Sequence, residues 1–432
     1  MDGRPLEIAE MLATEGQVTT AMAGSAGTPG TPRVLRAMND RAALDLLLEH
    51  GTLSRTRIGN LTGLSKPTAS QLLARLEAAG LVVVTGTSEG RPGPNAQLYA
   101  VNPAAARVAG LDVTPTGIRA AIADITGETV GRFELPTPGR SAQGAVDRVL
   151  LALDGAVKDA GLHRTDVHRI VIGTQGAFDP ATGNLRYASH LHGWHSPRLL
   201  EDMAAALGPI PFEVENDVNL AAIAEQRIGE ARDCENFTLL WGERGFGAAV
   251  VIGGRLHRGA TGGAGEVAFL PLPGAPLVRN VARSNSGGFE ELAGRRAVLG
   301  LAREHGLAPP PGTSGGTLTE KAAAVVAEAA RTAESPGPGQ AVLAEFATRL
   351  ATGLAAVVAV IDPELIILAG GVITAGGEPL RSLIQSELAE LAVPRPAIRL
   401  STTPDSPVLT GALQSALAAT RDEVFDTTGR TP

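Results

Sequence analysis

RVAGLDVTPTGIRAAIADITGETVGRF, residues 107–133, alternates short apolar runs with tight turns. Strands are expected at 107–113 and 118–124, separated by a turn at Thr114–Gly117, and a third strand follows the turn at Thr126–Gly127. FTLLWGERGFGAAVVIGGRLHRG, residues 237–259, repeats the plan: strand 237–241, turn Gly242–Gly245, strand 246–252, the Gly253–Gly254 turn and a short strand. Further helices and strands follow each meander, so the chain reads as an internal duplication of one α/β unit. Two such lobes facing one another place both first turns at the mouth of a shared cleft. Residues 347–373, ATRLATGLAAVVAVIDPELIILAGGVI, add a long buried helix, a fully apolar strand and a glycine turn. The stretch 305–340 is rich in Pro, Gly and Ala and contains one expected helix, Glu320–Arg331.

Upstream of the meanders the pattern changes. Residues 1–32 end in AGSAGTPGTP and read as a flexible leader. From Arg33, apolar residues Leu35, Met38, Ala42, Leu46 and Leu47 recur at helical spacing up to Gly51. Ser54 is an N-cap for a second helix that buries Ile58 and Leu61, and Ser65 starts a third, SKPTASQLLARLEAAG. LVVVTGTSEGRPGPNAQLYAV then reads as two strands around a Gly/Pro-rich loop. Three helices and a hairpin over residues 33–103 make a winged helix-turn-helix, leaving 104–432 for the duplicated body.

Charge agrees with this division. The chain of 432 residues has a net charge of −8. Between 31 and 101, eight basic residues against five acidic ones give +3, leaving −11 for the remainder. A basic domain on an acidic body is the asymmetry expected when only one part touches nucleic acid. Cys234 is the sole cysteine, which excludes an intrachain disulfide or a thiolate metal cluster and fits a cytoplasmic protein. No apolar run approaches the roughly 18 residues that span a bilayer.

On the third helix Ala69, Leu72, Leu73 and Leu76 form an apolar stripe, and the other faces present Lys66, Thr68, Ser70 and Gln71 behind Ser65. Hydroxyls and amides bond base edges, and Lys reaches guanine or phosphate. Arg91, in the hairpin loop, suits the negative potential of a minor groove. Operator DNA is therefore the expected partner, read through Ser65, Lys66, Thr68, Ser70, Gln71 and Arg91.

In the body, EVENDVNLAAIAE, HRGATGGAGEVAFLPL, GGFEELAG and ELIILAGGV, in that order, resemble the ROK family of repressors, open reading frames and sugar kinases. The resemblance covers residues 33–420 and implies an actin-like, two-lobed, ribonuclease-H-type sugar-kinase fold. It further implies a hexose or amino-sugar site between the lobes. Asn216 and Asp217 match the pair that holds sugar hydroxyls, with Asp217 where the kinases keep their general base. Glu266 and Glu290 match carboxylates that take further hydroxyls, and His190 stands where an Asn is usual. Ionised carboxylates suit this task because each accepts two hydroxyl donors. Asn216 and Asp217 are also placed to cap the helix that begins near Val218.

The departures from the family are as informative. Its structural zinc is held by a His and three Cys, and the matching positions here are Phe269, Val281, Arg283 and Gly288, so no metal is expected. The kinase phosphate turn Asp-x-Gly-Gly-Thr is Asp112-Val113-Thr114-Pro115-Thr116, which has lost both glycines and one N–H. Glu243, in the second phosphate turn, puts a carboxylate where nucleotide oxygens would sit. The expectation is a non-enzymatic regulator of carbohydrate genes, a repressor without cofactor, acting as a homodimer or dimer of dimers with a sugar or sugar-derived effector. The competing readings are a sugar kinase with a DNA-binding appendage and a regulator whose degenerate cleft senses no small molecule and which responds to a protein partner.

Overall fold

The computed structural model describes residues 32–87, 96–137, 144–178, 185–186, 191, 193–279, 287–313, 315–403 and 406–427. Residues 1–31, the loop carrying Arg91, and His190 lie outside them.

The N-terminal unit consists of α1 (Pro32–His50), β1 (Leu53–Ser54), α2 (Arg55–Thr62), α3 (Lys66–Ala78), β2 (Val82–Thr87) and β3 (Gln97–Val101). β3 lies between β1 and β2 and is antiparallel to both. Ser54 caps α2 by accepting the Arg57 N–H, and Gly63, at φ 70°, ends it in the left-handed conformation that glycine adopts without strain. Leu72, Leu73 and Leu76 of α3 pack on Leu44, Leu47, Ile58 and Val101. The inward face of α1 differs from the expected stripe. Asp40, Ala43, Leu44 and Leu47 are buried, whereas Leu35 and Met38 are 52% and 62% exposed. On that face Asp40 meets Arg75 of α3 at 2.6 Å, a polar contact that apolar periodicity does not reveal. Leu61, expected inside, is likewise 38% exposed.

The first lobe follows as β4 (Arg107–Thr114), β5 (Gly117–Asp124), β6 (Thr129–Pro136), α4 (Ala145–Asp159), β7 (Arg169–Thr174), β8 (Ala177–Phe178), β9 (Leu185–Arg186), α5 (Leu199–Leu207), β10 (Phe212–Asn216) and α6 (Asp217–Ile228). The second has β11 (Phe237–Gly242), β12 (Phe246–Ile252), β13 (Arg255–Leu256), α7 (Gly288–Ala293), α8 (Arg295–Glu304), α9 (Leu318–Thr332), α10 (Pro338–Ile361), β14 (Leu365–Ala369), α11 (Gly371–Thr374), α12 (Gly377–Leu391) and β15 (Ala397–Leu400). A final helix, α13 (Pro407–Val424), closes the chain's described part.

The two five-stranded sheets have one plan. Their orders are β6-β5-β4-β7-β10 and β13-β12-β11-β14-β15, each an antiparallel meander extended by two parallel strands. α4 and α5 cover one face of the first sheet, and α7–α10 and α12 cover one face of the second. Between the sheets lie α6 and α13. Val218, Ala221 and Ala222 of α6 pack on Phe237, Leu239 and Ile367, while its Leu220 meets Val171 and, from α13, Val408 and Leu413. The two helices touch backbone to backbone at Gly411, where a Cβ would fall 1.8 Å from the Leu220 carbonyl oxygen. Contrary to the reading of apolar runs, α10 is long and apolar enough by length and composition to cross a membrane. Here it is a core helix, with Leu343, Phe346, Leu350 and Leu354 fully buried in the second lobe.

Candidate functional site: a recognition helix and an interlobe cleft

α3 is stiffened from its first turn. The Ser65 hydroxyl accepts the Thr68 N–H at 3.4 Å and lies 2.8 Å from the Thr68 hydroxyl, so both expected DNA contacts also serve as the cap. Ser70 donates to the Lys66 carbonyl at 2.9 Å and accepts from Arg55 at 3.1 Å. The side chains of Lys66 and Gln71 are exposed and have no hydrogen-bond partner among the described residues. Sequence reading passed over Arg55 and Arg57, both exposed on the first turn of α2, although each was in the charge count that pointed to this unit.

Between the lobes is a cavity of about 420 Å³ lined by Asn216, Asp217, Glu266 and Glu290, the four expected residues that fall among the described ones. Asn216 spends its carbonyl on the Val218 and Asn219 N–H groups, at 2.9 and 3.1 Å, and donates to the Gly176 carbonyl at 3.1 Å. Capping thus fixes the turn, and the next residue is left to face the cavity. The Asp217 side chain accepts its own N–H and, at 2.9 Å, the Val218 N–H. Burial pushes its carboxyl up to about 7, helped by the charges of Asp112 and Glu266 and opposed by that N–H. Glu266 is raised by burial alone, and its carboxylate has no partner among the described residues. Glu290 accepts the Phe246 N–H at 2.8 Å, which ties α7 to β12 and leaves less of it for a ligand.

Two further residues hold this floor in place. Glu215, only 7% exposed, accepts the Asn216 N–H, the Asn219 amide and, at 2.6 Å, the Arg258 guanidinium. Arg258 precedes the segment that carries Glu266, and its ion pairs with Glu215 at 2.6 Å and Glu213 at 3.6 Å join the two halves of the expected sugar site. Neither residue was singled out by sequence, because their pairing crosses 43 positions.

The first turns of the two meanders do meet. The Arg244 guanidinium donates to the Thr116 hydroxyl across the cleft at 2.9 Å. Thr114 closes its own turn, accepting the Gly117 N–H at 3.2 Å and donating to the Gly117 carbonyl at 2.9 Å. Glu243 accepts the Gly371 N–H at 2.5 Å. Asp112, 3% exposed, pairs with Arg119 at 2.9 Å, and burial raises its carboxyl although Arg119 and Ser406 oppose this. Of the four positions that the resemblance matches to zinc ligands, Phe269 and Gly288 are described, while Val281 and Arg283 are not. Gly288 starts α7 against the neighbouring loop: a Cβ there would lie 2.2 Å from the Leu270 carbonyl oxygen.

α13 touches both regions. At its start Ser406 donates to Asp112 at 3.4 Å. At its end Phe425, 1% exposed, sits in the core of the winged unit, and Asp422 pairs with Arg41 at 2.9 Å. Beyond it Thr427 donates to Asp40, the residue that holds Arg75 of α3.

Comparison with known proteins agrees with both halves. Residues 38–91 match the model of the MarR family, and residues 108–419 that of the ROK family. A putative xylose repressor from Caldicellulosiruptor sp. (strain Rt8B.4) is 25% identical over 343 residues, covering 78% of this chain and 84% of the relative. A solved ROK family transcriptional regulator, a homolog of the E. coli MLC protein, superposes with a TM-score of 0.67 at 18% identity, over 91% of this chain and 98% of its own. The ROK family glucokinase from Streptomyces griseus, solved with glucose and AMPPNP, superposes with a TM-score of 0.57 at 26% identity, over 72% of this chain and 99% of its own. Behind its MarR-type winged helix, this chain belongs to the ROK family.

Proposed function

We propose that the protein is a transcriptional repressor of carbohydrate genes, whose winged helix reads operator DNA and whose cleft binds a sugar-class effector. The observation that carries the reading is α13, one helix in contact with the cleft strand at Asp112 and with the core of the DNA-binding unit at Phe425. A ligand shifts an equilibrium only through its different affinity for two states, so a physical connection between cleft and recognition helix is what such a switch requires. Gln71, Lys66 and Arg55 face DNA, and Arg91, also expected as a DNA contact, lies outside the described residues. Asp217 and Glu266 take sugar hydroxyls, Asn216 positions the turn and Glu290 borders the site, while His190, also expected as an effector contact, lies outside the described residues.

The protein works without catalysis. A kinase of this fold needs open backbone N–H groups for nucleotide phosphates. Here Thr114 takes the Gly117 N–H, Glu243 takes the Gly371 N–H, and Asp112 is held by Arg119. Fluorescence anisotropy with DNA from the promoter upstream of the protein's own gene tests the reading. Specific binding that a sugar or sugar derivative changes at least tenfold, and that Asp217→Asn no longer changes, is the expected result. Sugar-dependent release of ADP from ATP, lost in Asp217→Asn, would establish the kinase reading instead.

A further inference from the structure

The outer edge of the first sheet differs from the other edges of the two large sheets. β15 is closed from outside: Gln385 of α12 accepts the Ile398 N–H and donates to the Pro396 carbonyl, both at 3.2 Å, and Arg381 donates to the Ile398 carbonyl at 3.3 Å. β13 is two residues long, and β10 has β8 and the Arg258 ion pairs beside it. β6 is eight residues long, and no strand lies beyond it among the described residues. Its Arg132 N–H points outward, to the Asp159 carboxylate at 2.8 Å. Outward groups alternate in an antiparallel ladder, so the Glu134 N–H and carbonyl point outward too. Apolar surface collects at the same place. Val130 and Phe133 of β6 are 39% and 37% exposed, and Leu151 of α4 is 44% exposed. Phe133 lies on Gly155, where a Cβ would collide with its ring, and Leu151 is one turn before Gly155. The side chains of Arg132 and Glu134 are exposed and have no partner among the described residues.

A long open edge beside exposed apolar side chains is a template for another strand. The charges on β6 say which strand fits. In an antiparallel pairing of β6 with itself, outward residues face outward residues, so Arg132 meets Arg132, Glu134 or Pro136 of the second copy. The first choice sets like charges opposite each other. The third sets Glu134 against Glu134 and faces Arg132 with a proline that has no N–H. The second sets Arg132 against Glu134 twice, by symmetry, and brings the two Phe133 rings opposite one another, where side chains approach most closely. We propose that two copies of this chain join edge to edge through β6, in the register that sets Arg132 against Glu134, so that the two first lobes share one continuous sheet. Asp159 is exposed, so it yields the Arg132 N–H to the incoming carbonyl and keeps its carboxylate in water. The pairing is independent of what the cleft binds.

Sedimentation equilibrium of the full-length protein, without DNA or ligand, tests it. Arg132→Glu and Glu134→Arg are each expected to raise the dissociation constant of the assembly at least tenfold. The variant carrying both is expected to return within threefold of the wild type, because the exchange restores each opposite-charge pair. Both positions are exposed, so melting temperature is expected to stay unchanged and to exclude misfolding as the cause. Cross-linking reads the register directly. In a Cys234→Ser background, Phe133→Cys is expected to give a covalent dimer on mild oxidation, since facing Cα atoms in such a pair are about 4.5 Å apart, within disulfide reach. Val393→Cys, 92% exposed on the second lobe, is expected to give none. A wild type that is monomeric at micromolar concentration overturns the proposal. So does an assembly that neither single reversal weakens, a double variant as weak as the singles, or a Phe133→Cys protein that does not cross-link.

Discussion

Asp217 keeps its carboxylate in a place that disfavours its charge, and the consequence for pH has a definite sign. Its folded value of about 7 lies above the ordinary carboxylate range, so the native state binds this proton more tightly than the unfolded chain. The stability so gained is complete below the unfolded value and is lost as pH rises towards 7, by about 1.4 kcal/mol for each pH unit crossed. Asp217→Asn is expected to melt above the wild type at pH 8, the gap closing near pH 5. A variant that melts lower at pH 8 would contradict this. Affinity for sugar moves the opposite way, rising from pH 6 to 8 as the ionised carboxylate becomes available for two hydroxyls. On the recognition helix, Gln71 and Lys66 separate two kinds of contact. Gln71→Ala is expected to cost about 1–3 kcal/mol at the specific operator and little elsewhere. Lys66→Ala weakens all sequences alike and lowers the salt slope by about one ion, measured by titration at several ionic strengths.

Elements carry the coupling, and α13 is the one to interrupt. Phe425 fills part of the winged unit's core from the far end of the chain, with Arg41 5.7 Å above its ring. Phe425→Ala removes a buried ring, a change that costs about 3–5 kcal/mol where the site cannot collapse. The expected outcome is a cleft that binds its effector within threefold of the wild type while operator affinity no longer responds to it. Anisotropy with and without effector reads this, and a full response in the variant would show that the signal bypasses α13. Asp422→Ala is the mild control: Asp422 is 72% exposed, and surface pairs of this kind contribute less than about 1 kcal/mol. The same scale shows where apolar periodicity misleads. It found α3 because four buried residues repeat there on one face. In α1 the buried face carries Asp40, bonded to Arg75 and Thr427, beside Ala43, Leu44 and Leu47, and leaves Leu35 and Met38 exposed.

For the whole molecule, a single recognition helix reads too few base pairs for tight, specific binding, so operator recognition calls for paired winged units on paired half-sites. A dimer or larger assembly is the expected species in sedimentation at micromolar concentration. A monomer that still binds its operator tightly would refute this. Incubation with ATP, magnesium and a hexose is expected to yield no phosphoryl transfer above background.

Sequence alone determined the elements whose causes are local. The two meanders were legible because tight turns need glycine or Thr-Pro at fixed positions, and the strands between them are short apolar runs. Asn216 as a cap and the Asp217–Glu266 pair were legible as a turn and a resemblance, and both residues line one cavity. Only the tertiary structure decided what depends on groups far apart in the chain. It brought Glu215 to Arg258, Glu243 to the Gly371 N–H, Arg244 to Thr116 across the cleft, and Phe425 into a core built far upstream. The physical reason is that an ion pair or a hydrogen bond leaves no period in the sequence. Its two partners meet only after the apolar faces have chosen how to pack.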